Sequence, residues 1–150
     1  MFVIERTVDI NAPASIVWEV ISDLKCYPEW NPFCLKCEST LQPGDPIDMT
    51  VKLMAKPQQQ REWMLEYDEG RRFAYQMKPV PGTLSSFRSH DIEALTPVRS
   101  RYRSYFFLKG WMRHIVLALF KSKLEAGFGG MTDAVKARAE KLWAQRQPKK

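Results

Sequence analysis

The chain has 150 residues, 45% hydrophobic and 27% charged, enough for one domain with a real core. That balance, with 7 Gly, 10 Pro and 3 Cys, excludes a disordered chain, a collagen-like chain and a disulfide scaffold. The net charge of +6 conceals an asymmetry, since residues 1–75 carry 8 Lys/Arg against 12 Asp/Glu and residues 76–150 carry 15 against 5. The basic residues are spread along a strand and a long helix, the pattern of a solvated basic face rather than a nucleic-acid-binding arm.

The first segment, MFVIERTVDI, has no basic n-region, no long apolar stretch and no small-residue cleavage site, so it is read as structure. The longest apolar run, Ile115 to Phe120, is far shorter than the ~20 residues of a membrane span, and a cytoplasmic protein is expected. Phe2 to Ile10 alternates with period two and predicts a strand. Asn11 is a good N-cap and Pro13 suits a first helical turn, so a helix is expected from Pro13 to about Leu24. Its apolar face is Ile16, Val17, Val20, Ile21 and Leu24. The prolines of YPEWNPF, residues 27–33, predict a turn or one helical twist. Trp30 within it either plugs the end of the core or stands at the rim of a pocket.

Six further strands are expected. They are Phe33–Leu41, Ile47–Leu53, Arg61–Tyr67 with Trp63, Leu65 and Tyr67 on one face, Phe73–Met77, Ser86–Leu95 and Val98–Lys109. The turns between them are short, which requires antiparallel neighbours. From Leu124 the positions Phe128, Met131, Val135, Ala139 and Leu142 follow at spacings of 4, 3, 4, 4 and 3, an amphipathic helix. Trp111–Phe120 is a preceding helix or the same helix continued. Residues 1–147 are expected to form the single domain and 148–150 a frayed basic tail.

Gly127, Gly129 and Gly130 interrupt the helical pattern, each at a cost of about 1 kcal/mol relative to Ala. Space for a ligand, a kink, close backbone packing or a helix break after Ala126 would each account for them. Cys34 and Cys37 form a C-x-x-C inside FCLKCEST, which reads as extended chain. A redox motif needs the start of a helix and zinc needs further ligands, so no metal or cofactor is expected.

A strand ending in Ile10-Asn11-Ala12-Pro13-Ala14, then VWEVISDLKCYPEWNPF, then a Pro-Gly-Asp turn resembles the START-like (SRPBCC, Bet v 1-like) superfamily. Within it the chain is similar to the polyketide cyclase/dehydrase-like ligand-binding branch. HDIEALTP followed by a strand and Gly110, and the helix carrying GFGGM and VKARAE, point the same way. The resemblance spans essentially the whole chain, and Pro13–Phe33 is its most specific piece. It implies an α+β helix-grip fold, in which a seven-stranded curved antiparallel sheet wraps a long C-terminal helix around a hydrophobic pocket. Several branches carry a carboxylate on the last strand shortly before its closing glycine. This chain has Tyr105, Phe106 and Phe107 there, which favours binding over acid-assisted chemistry.

On the last strand Arg99, Arg101 and Arg103 share one face, so Ser100, Tyr102 and Ser104 are expected to point inward. Tyr105 and Phe107 then fall on the arginine face, which suggests a bulge or bend there. On the preceding strand Arg88 and His90 share the inward face with Ile92 and Ala94, so His90 should meet Tyr102 or Ser100. The expected pocket residues are Trp30, Trp63, Tyr75, Met77, Arg88, His90, Ser100, Tyr102, Ser104, Gly127 and Met131. The leading expectation is a module binding a lipid-, polyketide- or aromatic-like molecule, acting as a monomer or weak homodimer. The alternatives are a cyclase or dehydratase using His90 with Tyr102, and lipid transfer in which Trp111–Phe120, with Arg113, Lys121 and Lys123, contacts anionic membrane.

Overall fold

The computed structural model describes residues 1–147; the expected tail at 148–150 lies outside the described residues. Strand β1 (Phe2–Ile10) alternates half-buried and exposed side chains along its length and pairs antiparallel with the last strand, β7 (Arg99–Lys109). Helix α1 (Ala14–Ser22) follows, then a 3-10 turn at Leu24–Cys26, a single helical turn α2 (Tyr27–Trp30), and β2 (Cys34–Ser39), β3 (Pro46–Val51), β4 (Gln58–Asp68), β5 (Arg72–Gln76) and β6 (Ser85–Thr96). The spatial order is β1-β7-β6-β5-β4-β3-β2, antiparallel throughout. The two strands flanking the first helices thus form opposite edges. The helices between them cross from one edge to the other.

α1 buries Ile16, Val17, Val20 and Ile21 as its spacing predicts. Its start differs from the expected one. Pro13, in extended geometry, precedes the helix, and its carbonyl accepts from the Ile16 and Val17 amides at 3.0 and 3.3 Å. Asn11 instead donates its backbone N–H to Glu140 Oε2 at 2.9 Å, tying the strand end to the C-terminal helix. The helix also stops at Ser22, and buried Leu24 belongs to the 3-10 turn.

On β7 the inward side chains are Ser100, Tyr102, Ser104, Phe106 and Leu108, all buried. No bulge occurs near Tyr105, because the pairing with β1 is regular from Ser100 to Leu108. Tyr105 and Phe107 instead form an outer-face cluster with Phe87, stacked on Phe107 at 5.2 Å. Arg103 and Lys109 lie over those rings. The charge asymmetry of the two halves closes on itself across this edge. Asp9 and Glu5 of β1 pair with Arg101 and Arg103 of β7 at 2.8 and 2.9 Å.

Two irregularities alter which face a strand presents. In β4 the register shifts between Met64 and Glu66. Before the shift Glu62 and Met64 face inward, while Trp63 and Leu65 stand 37% and 39% exposed on the outer face. In β2 the register shifts between Cys34 and Lys36, which turns both Cys34 and Cys37 into the core as free thiols. Hydrogen bonding to Cys34, then burial, pushes the Cys37 thiol far above its usual range. Among the described residues no three His, Cys, Asp or Glu side chains are grouped to hold a metal ion.

Gly110, at φ +97°, turns the chain out of β7. A Cβ there would lie 2.2 Å from the Thr83 carbonyl oxygen. Helix α3 then runs without a break from Arg113 to Arg146, 34 residues and about 50 Å. The break after Ala126, one of the alternatives that would account for the three glycines, is absent. Gly127 meets a packing need, since a Cβ would fall 2.5 Å from ring atoms of Phe33. α3 buries Leu124, Phe128, Met131, Thr132, Val135 and Ala139 toward the sheet. No described helix is long and apolar enough to cross a membrane.

Candidate ligand-binding site

The concave face of the sheet is covered unevenly. At one end α1 lies over β6 and β7, with Trp18 edge-on to Phe73 of β5 and Tyr67 of β4 at 5.9 and 5.7 Å, and α3 packs along α1. Toward the other end α3 stands off the sheet and leaves a cavity of about 230 Å³. Phe33, Met49, Val51, Leu84, Phe106 and Leu108 line it from the sheet and its connections, and Val116, Leu124, Phe128 and Met131 from α3. This is smaller than the roughly 300–1,000 Å³ of a drug-sized pocket, so the guest would be small. A wider depression of about 440 Å³ lies over the polar outer side of β2, β3 and β4. Its charged groups already satisfy one another, Arg61 donating to both Asp48 oxygens at 2.6 and 3.0 Å.

Two charged side chains reach into the apolar cavity. Arg88, on the inward face of β6, is 3% exposed. Its Nη1 donates to Ser104 Oγ at 2.5 Å and to the Tyr105 carbonyl at 3.5 Å, and Nη2 to Met131 Sδ at 3.7 Å. The guanidinium sits 4.6 Å from the centre of the Phe128 ring. Glu62, inward on β4, is 7% exposed and accepts from Gln60 Nε2 at 2.9 Å. Among the described residues neither Arg88 nor Glu62 takes part in an ion pair within 4.0 Å. Burial therefore dominates at Glu62 and pushes its carboxyl up to about 7, against the weaker pull of Arg88. Tyr75 on β5 lines the cavity between them, its phenol held well above the usual range by burial.

His90 is the next inward residue on β6, but it lies under α1 and away from the cavity. Its Nδ1 is 2.5 Å from Tyr102 Oη, and its ring lies 4.7 Å from Phe73. Burial, with Arg88 nearby, holds the imidazole well below its usual pKa. Ser100 is closed off in the same region, donating to the Ala12 carbonyl at 2.9 Å. This is a satisfied polar cluster inside a packed core.

Of the residues expected to line a pocket, Tyr75, Met77, Arg88 and Met131 do so, and Ser104 acts one step behind as the acceptor for Arg88. His90, Tyr102 and Ser100 form the closed cluster and do not reach the cavity. Trp63 points outward because its parity is set by the β4 irregularity. Trp30 packs edge-on to buried Tyr27 at 5.1 Å, which is the plug reading. Gly127 lines a shallow outer depression with Pro32 and Lys123 rather than the cavity. Sequence reasoning missed Glu62. The alternation Trp63-Leu65-Tyr67 put it on the solvent side, and only the residue pair Glu62 and Met64 signalled otherwise.

A long helix gripped by a seven-stranded antiparallel sheet, with a cavity at one end, defines a helix-grip fold. The family described as "Polyketide cyclase / dehydrase and lipid transport" matches residues 1–140, and the chain belongs to it. No curated protein matches the chain. Among solved structures, a START superfamily protein from Mycobacterium smegmatis is similar at 16% identity and TM-score 0.72, over 93% of this chain and 98% of that one. The Zhui aromatase/cyclase from Streptomyces sp. R1128 is similar at 19% identity and TM-score 0.69, over 97% and 94%. Norcoclaurine synthase from Thalictrum flavum, solved with dopamine and hydroxybenzaldehyde, is similar at 18% identity and TM-score 0.65, over 99% and 89%. At these identities the likeness is one of fold.

Proposed function

We propose that this chain binds a small, mostly apolar molecule, lipid-, polyketide- or aromatic-like, in the cavity beneath the first half of α3. The observation that carries this reading is the uneven cover of the sheet: one end is packed, the other holds a void of about 230 Å³ with an apolar wall. Burial of apolar ligand surface supplies roughly 25 cal/mol per Å². Arg88, Glu62 and Tyr75 orient the guest. Catalysis by His90 lacks geometric support, because its partners are Tyr102 and Phe73 rather than the cavity.

The test is a thermal-shift and native mass-spectrometry panel of small apolar compounds on the wild type and on Val116→Trp. The larger side chain at a half-buried wall position should fill the void and abolish binding while the fold stays intact. Equal binding by both proteins would place the guest elsewhere.

A second reading, transfer of that guest at anionic membrane, is favoured by one observation. Trp111, Ile115 and Leu119, spaced by four, are 59%, 49% and 65% exposed at the start of the helix that covers the cavity. Such a ridge, followed by Lys121 and Lys123, suits a membrane interface. Sedimentation with vesicles should show more binding when anionic lipid is present; equal partitioning counts against it.

A further inference from the structure

On the footing that the cavity beneath α3 is the binding site, we propose that its guest is a hydrophobic carboxylic acid whose carboxylate docks on Arg88.

A guanidinium is charged at every relevant pH and offers five N–H donors. Burying such a charge is expensive unless an anion compensates it. Arg88 is 3% exposed, yet its partners are a hydroxyl, a carbonyl, a thioether and an aromatic ring, all neutral. Among the described residues the one carboxyl in the cavity wall is Glu62, which makes no ion pair with Arg88 within 4.0 Å and bonds to Gln60 instead. The built site is therefore an apolar chamber with an unpaired cation in its wall. A single-charged carboxylate matches that cation in charge and, held bidentately, in shape. A doubly charged phosphate would leave one negative charge buried without a partner.

Glu62 makes the binding proton-linked. The titratable or charged groups facing it across the cavity are Arg88 from β6, Tyr75 from β5 and Cys34 from β2; α3 contributes Leu124, Phe128 and Met131, which carry none. With Glu62 protonated, the cavity holds one net positive charge and accepts the guest's carboxylate, and the neutral carboxyl is a further donor. With Glu62 ionised, two carboxylates share one guanidinium. Since burial places the Glu62 carboxyl at about 7, affinity should be greatest below that pH and fall about tenfold per unit above it. The guest's own carboxyl remains ionised throughout this range.

The experiment compares decanoic acid, decanol and methyl decanoate, and 2-naphthoic acid with its methyl ester, by calorimetry at pH 6.0 and 8.5. Expected is a preference of about tenfold or more for acid over ester at pH 6.0, from a charge-assisted hydrogen bond. Which of the two acids binds tells an acyl from an aromatic guest. Arg88→Met should erase the preference, and Arg88→Lys should keep part of it. Glu62→Gln should retain acid binding and flatten its pH dependence. Acid, alcohol and ester binding equally to the wild type overturns the carboxylate proposal and leaves the cavity reading standing. Binding of none overturns both. The wild-type comparison and Glu62→Gln decide the matter even if Arg88→Met fails to fold.

Discussion

Two polar clusters line the same concave face and have opposite characters. His90, Tyr102 and Ser100 lie beneath α1, each satisfied by a protein partner. Glu62 and Arg88 lie where α3 stands off the sheet, and their charges are not matched to one another. His90 and Arg88 are two residues apart on the same strand and face the same way. What separates a structural group from a binding group here is the cover above it. A polar side chain under a packed helix must be finished by the protein, while one beside a void is left to be finished by a guest.

The contrast between the two clusters is largest at Tyr102. Tyr102→Ala, at a fully buried ring, should cost about 3–5 kcal/mol in denaturant unfolding. If that variant kept its stability and lost ligand binding, the two clusters would have exchanged roles.

Next in size is the pH response of the open cluster. Between pH 4.5 and about 7, folded Glu62 holds a proton that the unfolded chain has released. Stability therefore falls as pH rises through that window and stays lowered above it. Glu62→Gln should lack this slope, making it more stable than the wild type at pH 8, relative to pH 4, by up to about 3 kcal/mol. Parallel stability-against-pH curves for the two proteins would show that Glu62 is paired after all. The closed cluster has the opposite sign. Neutral folded His90 resists protonation that the unfolded chain accepts, so its contribution is lost as pH drops below about 6.5. A titration of the His90 ring carbon by NMR should show the neutral form persisting well below that pH.

Smaller still is Gly127→Ala. Crowding of the Phe33 ring costs roughly 1–3 kcal/mol, against about 1 kcal/mol gained in helix propensity. Net destabilisation is expected, and a gain in melting temperature would mean that Phe33 yields easily. The smallest effect belongs to Trp63→Thr, on the outer face of β4. Stability should change by no more than about 0.5 kcal/mol and ligand affinity not at all. A loss of affinity would restore Trp63 to the pocket.

The regular elements were legible because their signal is local. The α1 face, the β7 alternation and the α3 stripe each follow from a period that repeats within one segment. That His90 meets Tyr102 or Ser100 was legible in part from parity: the ring meets Tyr102, diagonally across the ladder, while the register puts Ser104 directly opposite. Reading failed where one extra residue changes parity, and Trp63 and Glu62 exchanged faces for that reason. It failed again at the boundary of the cavity, where Ser100 and Tyr102 were inward but already enclosed.

Composition and periodicity alone determined a seven-stranded sheet, the inward faces of its regular strands β6 and β7, and a long terminal helix, because burial of an apolar stripe depends only on neighbours along the chain. Which inward residues face a void was decided by how α1 and α3 settle on the curved sheet. That is a contest of packing among segments distant in sequence, and no single segment carries its outcome.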